Sequence, residues 1–348
     1  MGTAYKHDYS DRFDKFFRKI HSIVFKTTDP NPKLNFLYGS YWHSRLMGKA
    51  VKEKQQENYY TQYPNRGAGF GHGFGVWLNG VENAGALGMK YAYVPLVSEK
   101  WESVLGLAKG QERLEDLQKQ GYKKVKLPYF SGEDKDSLNV IRSIINSYNG
   151  KKVIFVGSFE QDTINSDLCS TVEYLREHFF SADSRHKDHL LYGNDSVNVG
   201  VHIRRGDVAE MHMNNDEKNE FRWLELGYYK NVLNQLKELL PDQKIRVYIF
   251  SEGKKEDYKE IEDSAYETVY CLDMSAEDSF VHMCFADILV TGMSAFSYYP
   301  GMICKGVKIA PKEIWLRIPQ NGEWICADMQ GNFLVEGLRT DVKIGKNY

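Results

Sequence analysis

The chain has 348 residues, 42% hydrophobic and 26% charged, with a formal net charge of −2. That length suits about two domains with sizeable cores, and that charge gives no electrostatic case for nucleic acid or an anionic membrane surface as a partner. The cysteines Cys169, Cys271, Cys284, Cys304 and Cys326 are odd in number and widely spaced, with no CxxC, which argues against a disulfide framework or a thiolate metal site and fits a reducing compartment.

Taken in order, Arg12 to Phe25 carries Phe13, Phe16, Phe17, Ile20, Ile23 and Val24 at helical spacing, and Asp29-Pro30-Asn31-Pro32 stops it. Arg66 to Gly75 is glycine-dense, with Gly69, Gly71, His72 and Gly73 at its centre. Val76 to Ala84 then reads as a helix, and Tyr91 to Val94 as a short strand. A glycine loop opening a helix leaves backbone N–H groups for an anion, although tight packing explains glycines equally well. Trp101 to Gln120 has helical periodicity and ends at Gly121; Val153 to Val156 is a buried strand; Ser166 to Phe180 reads as a helix. The polar run Arg185 to Asn194 is the expected linker.

Beyond it, strand and helix alternate. Val199-Gly200-Val201-His202-Ile203 is a strand that ends in Arg204-Arg205-Gly206-Asp207. Val208 to Arg222 reads as a polar loop, and Tyr228 to Leu240 as a helix stopped by Pro241. Strands follow at Ile245–Phe250, Thr268–Tyr270, Ile288–Thr291 and Val307–Ala310, with helices starting at Tyr258, Glu277 and Ala295 between them. This alternation over 196–311 predicts a parallel, doubly wound domain. Its strand ends bring Arg204, Arg205, Ser251, Glu252, Asp273, Ser294 and Ser297 to one edge. Cations with small hydroxyls suit a diphosphate, and a carboxylate such as Asp273 suits a guanine edge or a ribose, giving a nucleotide-diphosphate site without a Walker loop. Asp273 as a turn residue stays open.

Period-2 alternation gives the two arginines different jobs. Val199, Val201 and Ile203 share one face, and His202 and Arg204 the other, so Arg205 turns away. Arg204 is the candidate for the diphosphate, because a guanidinium reaches phosphate with two donors; an Arg204–Asp207 surface ion pair is the plain alternative. His202 is either a nucleotide contact or a hydrogen-bonded core histidine. Ser294 and Ser297 either cap the next helix or bind phosphate at its N-terminus, and the two are compatible. Arg205-Gly206-Asp207 as an adhesion tripeptide is excluded by its place behind a buried strand.

The stretch His202-Ile203-Arg204-Arg205-Gly206-Asp207 resembles the H-x-R-R-x-D motif of the GDP-fucose-dependent fucosyltransferases. Tyr228-Tyr229, Val247 to Ser251, Ala286 to Val290, Ser294-Ala295-Phe296-Ser297-Tyr298-Tyr299 and Ile309-Ala310-Pro311-Lys312 with Trp315 resemble the α1,2-fucosyltransferases in order and spacing. The stretch Gly69-Phe70-Gly71-His72 is similar to that family's G-x-G-N element, with His72 in place of asparagine; Gly292-Met293 lacks the asparagine usual before that serine. The resemblance implies a GT-B fold: two Rossmann-like α/β domains facing a cleft, with 1–195 on the acceptor side, 196–316 binding the GDP-sugar and 317–348 a tail. It implies an inverting transfer of L-fucose from GDP-fucose to a glycan hydroxyl, forming an α1,2 linkage, with no metal or other cofactor. Another linkage, another nucleotide sugar, protein O-fucosylation or an inactive binding homologue are the alternatives. The acceptor hydroxyl must lose a proton, and the candidate bases are Glu210, His212 and Asp216, with no side-chain base as the remaining option. No apolar run approaches the roughly 18 residues of a membrane span, and Met1 to Lys6 reads as no signal peptide. The expected location is the cytoplasm, or the Golgi lumen if an anchor lies outside this sequence. Most of the aromatic residues, 14% of the chain, are expected in cores, although their faces also suit sugars.

Overall fold

The computed structural model describes residues 32–47, 57–64, 69–96, 98–158, 161–164, 168–214, 220–272 and 274–334. The helix expected at Arg12–Phe25 lies outside them. The chain divides into two compact units, one made of 1–63, 79–92 and 113–165, the other of 64–78, 93–112 and 166–348. Among the described residues, no helix is long and apolar enough to cross a membrane.

The first unit carries a parallel sheet of β1 (Tyr59–Thr61), β2 (Lys90–Tyr91), β3 (Lys123–Lys126) and β4 (Val153–Val156), in the order β2-β1-β4-β3. The apolar Val153 to Val156 is the buried strand its composition predicts. The sequence Lys-Lys-Val-Lys of β3 hides a strand behind charge. It is an edge strand, where lysines discourage further pairing. The helix Lys135–Ser147 buries Leu138, Ile141 and Ile144 along one face, and Asp134 caps it by accepting from the Asp136 N–H.

The second unit carries β5 (Val197–His202), β6 (Ile245–Ser251), β7 (Glu267–Leu272), β8 (Ile288–Val290), β9 (Val307–Pro311) and β10 (Trp324–Ala327). All pairings are parallel, in the order β10-β9-β8-β5-β6-β7. Every residue of β5 is buried, as a central strand covered on both faces requires. From β5 the chain builds outward through β6 and β7, then returns to build the other way through β8, β9 and β10. The switch point of this Rossmann order lies between β5 and β8, where Val199 pairs Ile288 and Val201 pairs Val290. The protein is an α/β fold with two parallel sheets. Strand β10 lies within the segment read as a tail. It is fastened by Glu323, which accepts from Lys308 at 2.6 Å and from Arg176 Nη1 at 3.0 Å.

Three local expectations give way to packing. The long helix expected at Trp101–Gln120 is two helices, Glu99–Leu105 and Leu114–Lys119. Gly106 and Gly110 between them are left-handed, and a Cβ on Gly106 would lie 2.6 Å from the His178 carbonyl. The polar loop expected after the arginines begins as a helix, Asp207–Met213. The expected linker is not free: its Arg185 donates to the Val104 carbonyl at 3.0 Å and Tyr192 to the His282 carbonyl at 2.7 Å.

Candidate functional site

Strand β5 delivers its two arginines into different surroundings. Arg204 Nη2 donates to Asp207 at 2.8 Å and Nη1 lies 3.5 Å from the Ser294 hydroxyl, while its buried Nε has no hydrogen-bond partner among the described residues. Arg204 on β5 and Ser294 after β8 thus meet at the switch point. Arg205 instead donates to the carbonyls of Arg204 at 2.9 Å and Leu224 at 3.2 Å, with its guanidinium 3.8 Å from the Trp223 ring centre. Burial pulls the Arg205 pKa down against its neighbours Tyr229, Tyr258 and Glu225. The Arg204–Asp207 pair is present, but Asp207 is more than half exposed. Such a pair contributes about 0–1 kcal/mol to folding, so separating it costs little.

His202 is buried, and its Nδ1 has no partner among the described residues. Burial first, and the Arg204 charge second, push its pKa down to about 3, so the imidazole is neutral near pH 7. Its ring lies 5.5 Å from that of Phe296.

Gly206 turns the chain at φ 57, and a Cβ there would collide with the Glu252 carboxylate. Ser251 donates to the Ile203 carbonyl at 2.7 Å and shares a 2.7 Å hydrogen bond with the Tyr258 hydroxyl. Its hydroxyl therefore ties the end of β6 to the end of β5. Glu252 accepts from Tyr258 through its backbone carbonyl.

The helix Ala295–Ile303 starts at the same edge. Ser294 caps it, accepting from the Phe296 N–H at 3.2 Å. The buried Ser297 hydroxyl donates to the Ser294 carbonyl and accepts from the Gly292 N–H, both at 3.3 Å. Ser297 thus shapes the turn after β8, and Ser294 is the serine that also reaches Arg204.

The glycine stretch also belongs to this unit, and here the sequence reading needs correction. The helix begins at Phe70, ahead of the expected start at Val76, so Gly71, Gly73 and Gly75 are helical. Gly69 just precedes it and accepts from the Gly73 N–H at 3.1 Å. Five glycines in this helix oppose its formation by about 0.5–1 kcal/mol each. Packing outweighs that cost. A Cβ on Gly71 would stand 2.8 Å from that of Ala295, and one on Gly75 would strike Tyr299, so the pair forms the face laid against the helix Ala295–Ile303. Phe70 stacks on Trp101 at 3.7 Å and meets Phe280 and Phe296 edge-on. Two helix N-termini therefore come together beside Ser294, with His72 exposed in the first turn of one.

Asp216 and Asp273 lie outside the described residues. Glu210 sits in the helix Asp207–Met213. His212 stacks flat on Trp223 at 4.1 Å. Sequence reasoning missed Trp223, which receives both His212 and Arg205. Its signal was an aromatic residue closing a polar stretch.

A neutral imidazole, a guanidinium with an unpartnered N–H and a capped helix N-terminus at one switch point form an edge suited to an anion. No family model matches this chain, and no curated protein matches it. Among solved structures it is similar to POFUT1 in complex with GDP, with 13% identity over 73% of this chain and 96% of that one and a TM-score of 0.42. It is similar to POFUT1 in complex with GDP-fucose at 12% identity over 72% of this chain and 95% of that one, TM-score 0.40. The E. coli heptosyltransferase WaaC with ADP is similar at 14% identity over 82% of this chain and 95% of that one, TM-score 0.36.

Proposed function

We propose that this chain is a GT-B glycosyltransferase that moves L-fucose from GDP-fucose to a glycan hydroxyl, forming an α1,2 linkage with inversion. The observation that carries this reading is the meeting of Arg204 with Ser294 at the β5–β8 switch point. The motif order that resembles the α1,2-fucosyltransferases supplies the sugar and the linkage.

In this mechanism Arg204 exchanges Asp207 for the diphosphate and stabilises the negative charge that grows as the sugar departs. The N-terminus of the helix Ala295–Ile303 adds its N–H dipoles to the same oxygens. The neutral His202 contacts the nucleotide without adding charge. Glu210 or Asp216, in the segment after the motif, takes the acceptor proton. Glu252, which follows β6, contacts the nucleoside. No divalent metal is required.

The test is a panel of nucleotide sugars, each incubated with the protein and a chelator, with donor hydrolysis as the readout. GDP-fucose should turn over, and turnover should survive the chelator. Preference for a UDP-sugar would reject the donor, and strict dependence on manganese would reject the metal-free step. An acceptor panel then separates a glycan from a protein hydroxyl, since both make the same demands on the donor edge. GDP binding with no turnover of any donor would mark an inactive homologue.

A further inference from the structure

Two large aromatic side chains stand nearly half exposed in the second unit, Phe221 and Trp315, each 46% accessible. They are 94 positions apart in sequence, yet their rings meet edge to face at 5.3 Å and 87°. The Arg222 guanidinium lies 5.4 Å from the Phe221 ring centre. Exposed aromatics lose favourable burial, so a pair held together at the surface needs a reason.

Each ring is fastened to one wall of the switch-point edge. The strip carrying Phe221 is held by Arg205, which donates to the Leu224 carbonyl and stacks on Trp223. Arg205 directly follows Arg204, so this strip is anchored to the β5 wall. The strip carrying Trp315 leaves β9 and is held by Tyr298, whose hydroxyl donates to the Arg317 carbonyl. Tyr298 belongs to the helix that Ser294 caps, so this strip is anchored to the β8 wall. Buried Ile314 pins the strip from below and leaves its neighbour Trp315 outward.

We propose that Phe221 and Trp315 form a stacking platform for a pyranose ring of the acceptor, positioned through Arg205 and Tyr298. The platform's place in catalysis rests on the donor reading above. Two rings at a right angle make a corner rather than a slot. A flat nucleobase covers one wall of a corner. A chair-shaped sugar sets C–H bonds against both while its hydroxyls stay in water or reach Arg222. This assigns Arg205 a task distinct from that of Arg204: it holds the acceptor platform in step with the diphosphate site.

The test applies the full chain to an array of immobilised oligosaccharides, with and without GDP, and measures thermal stabilisation by GDP in parallel. Wild type should bind at least one glycan. Trp315→Ala and Phe221→Ala should weaken that binding roughly tenfold, about 1.4 kcal/mol, while Trp315→Phe keeps most of it. Stabilisation by GDP should be the same in all four proteins. Both side chains are exposed, so the variants should fold, and their melting temperatures check this. Undiminished glycan binding in Trp315→Ala, or no glycan bound by wild type, would overturn the platform. Loss of GDP stabilisation in Trp315→Ala would make it a nucleobase wall instead. If glycan binding depends on Trp315 but GDP stabilises no variant, the platform stands and the donor reading falls.

Discussion

At the adjoining carboxyl ends of β1 and β4, Gln62 and Gln161 are tied into the surrounding chain; at those of β5 and β8, Arg204 and His202 each keep a buried polar atom that no described residue satisfies. Gln161 is fully buried, accepting from the Phe130 N–H at 3.0 Å and donating to the Phe130 carbonyl at 2.5 Å. Gln62 donates to the Gln161 carbonyl at 3.0 Å and accepts from the Tyr60 hydroxyl at 3.2 Å. Uncharged amides there close an edge. At β5 and β8, by contrast, Arg204 Nε and His202 Nδ1 are buried without a partner among the described residues. Buried polar atoms are nearly always paired, and two unpaired ones side by side at a switch point fit the ligand edge proposed above. Under the proposed function, the same sheet geometry serves shape in one unit and recognition in the other.

The comparison breaks most sharply on Arg204. Arg204→Ala should cost turnover about a hundredfold or more while leaving the melting temperature nearly unchanged, and Arg204→Lys should recover little. Comparable destabilisation would move Arg204 to the structural side. Gln161→Leu is the mirror experiment. It leaves both polar groups of the Phe130 backbone unpaired and should destabilise by about 2–4 kcal/mol, read by chemical denaturation, with donor hydrolysis retained in the folded fraction.

A smaller effect follows from His202. An unfolded histidine titrates near 6.5, whereas folded His202 is pushed down to about 3. Between those values the unfolded chain binds a proton that the native chain does not. Stability from this group is therefore complete above about pH 6.5 and falls as pH drops toward 3, by up to about 1.4 kcal/mol per unit. Denaturation curves between pH 7 and 5 should show that slope, and His202→Gln should flatten it. An equal slope in the variant would place the lost protons elsewhere.

The smallest effect is expected at Arg205. Arg205→Lys loses the stacking on Trp223 and one carbonyl contact, and should slow acceptor-dependent transfer by roughly three- to tenfold with donor hydrolysis less affected. Complete loss of donor hydrolysis in a folded Arg205→Lys protein would erase the distinction between the two arginines.

The second unit was legible because its strands are apolar runs separated by turn residues, and β5, β6, β8 and β9 fall within a residue or two of their expected bounds. Arg204 and Arg205 do part as the alternation predicts, although β5 ends at His202, before either of them. Three features were not legible. The strand β3 is three lysines and a valine, so its sheet position rather than its hydrophobicity defines it. The helix starting at Phe70 is written in glycines, and only the Gly71–Ala295 approach explains why a weak helix former persists there. The Phe221–Trp315 pair joins residues from opposite ends of the second sheet's sequence, which no local pattern can bring together. In each case a long-range contact decided what local propensity opposed or could not express.

Titration calorimetry of GDP into wild type and Arg204→Ala tests the central claim most directly. Wild type should bind GDP, with no UDP binding of comparable strength, and the folded variant should bind GDP at least a hundredfold more weakly, about 2.7 kcal/mol. GDP binding of equal strength in both proteins, or binding of UDP in preference to GDP, would contradict it.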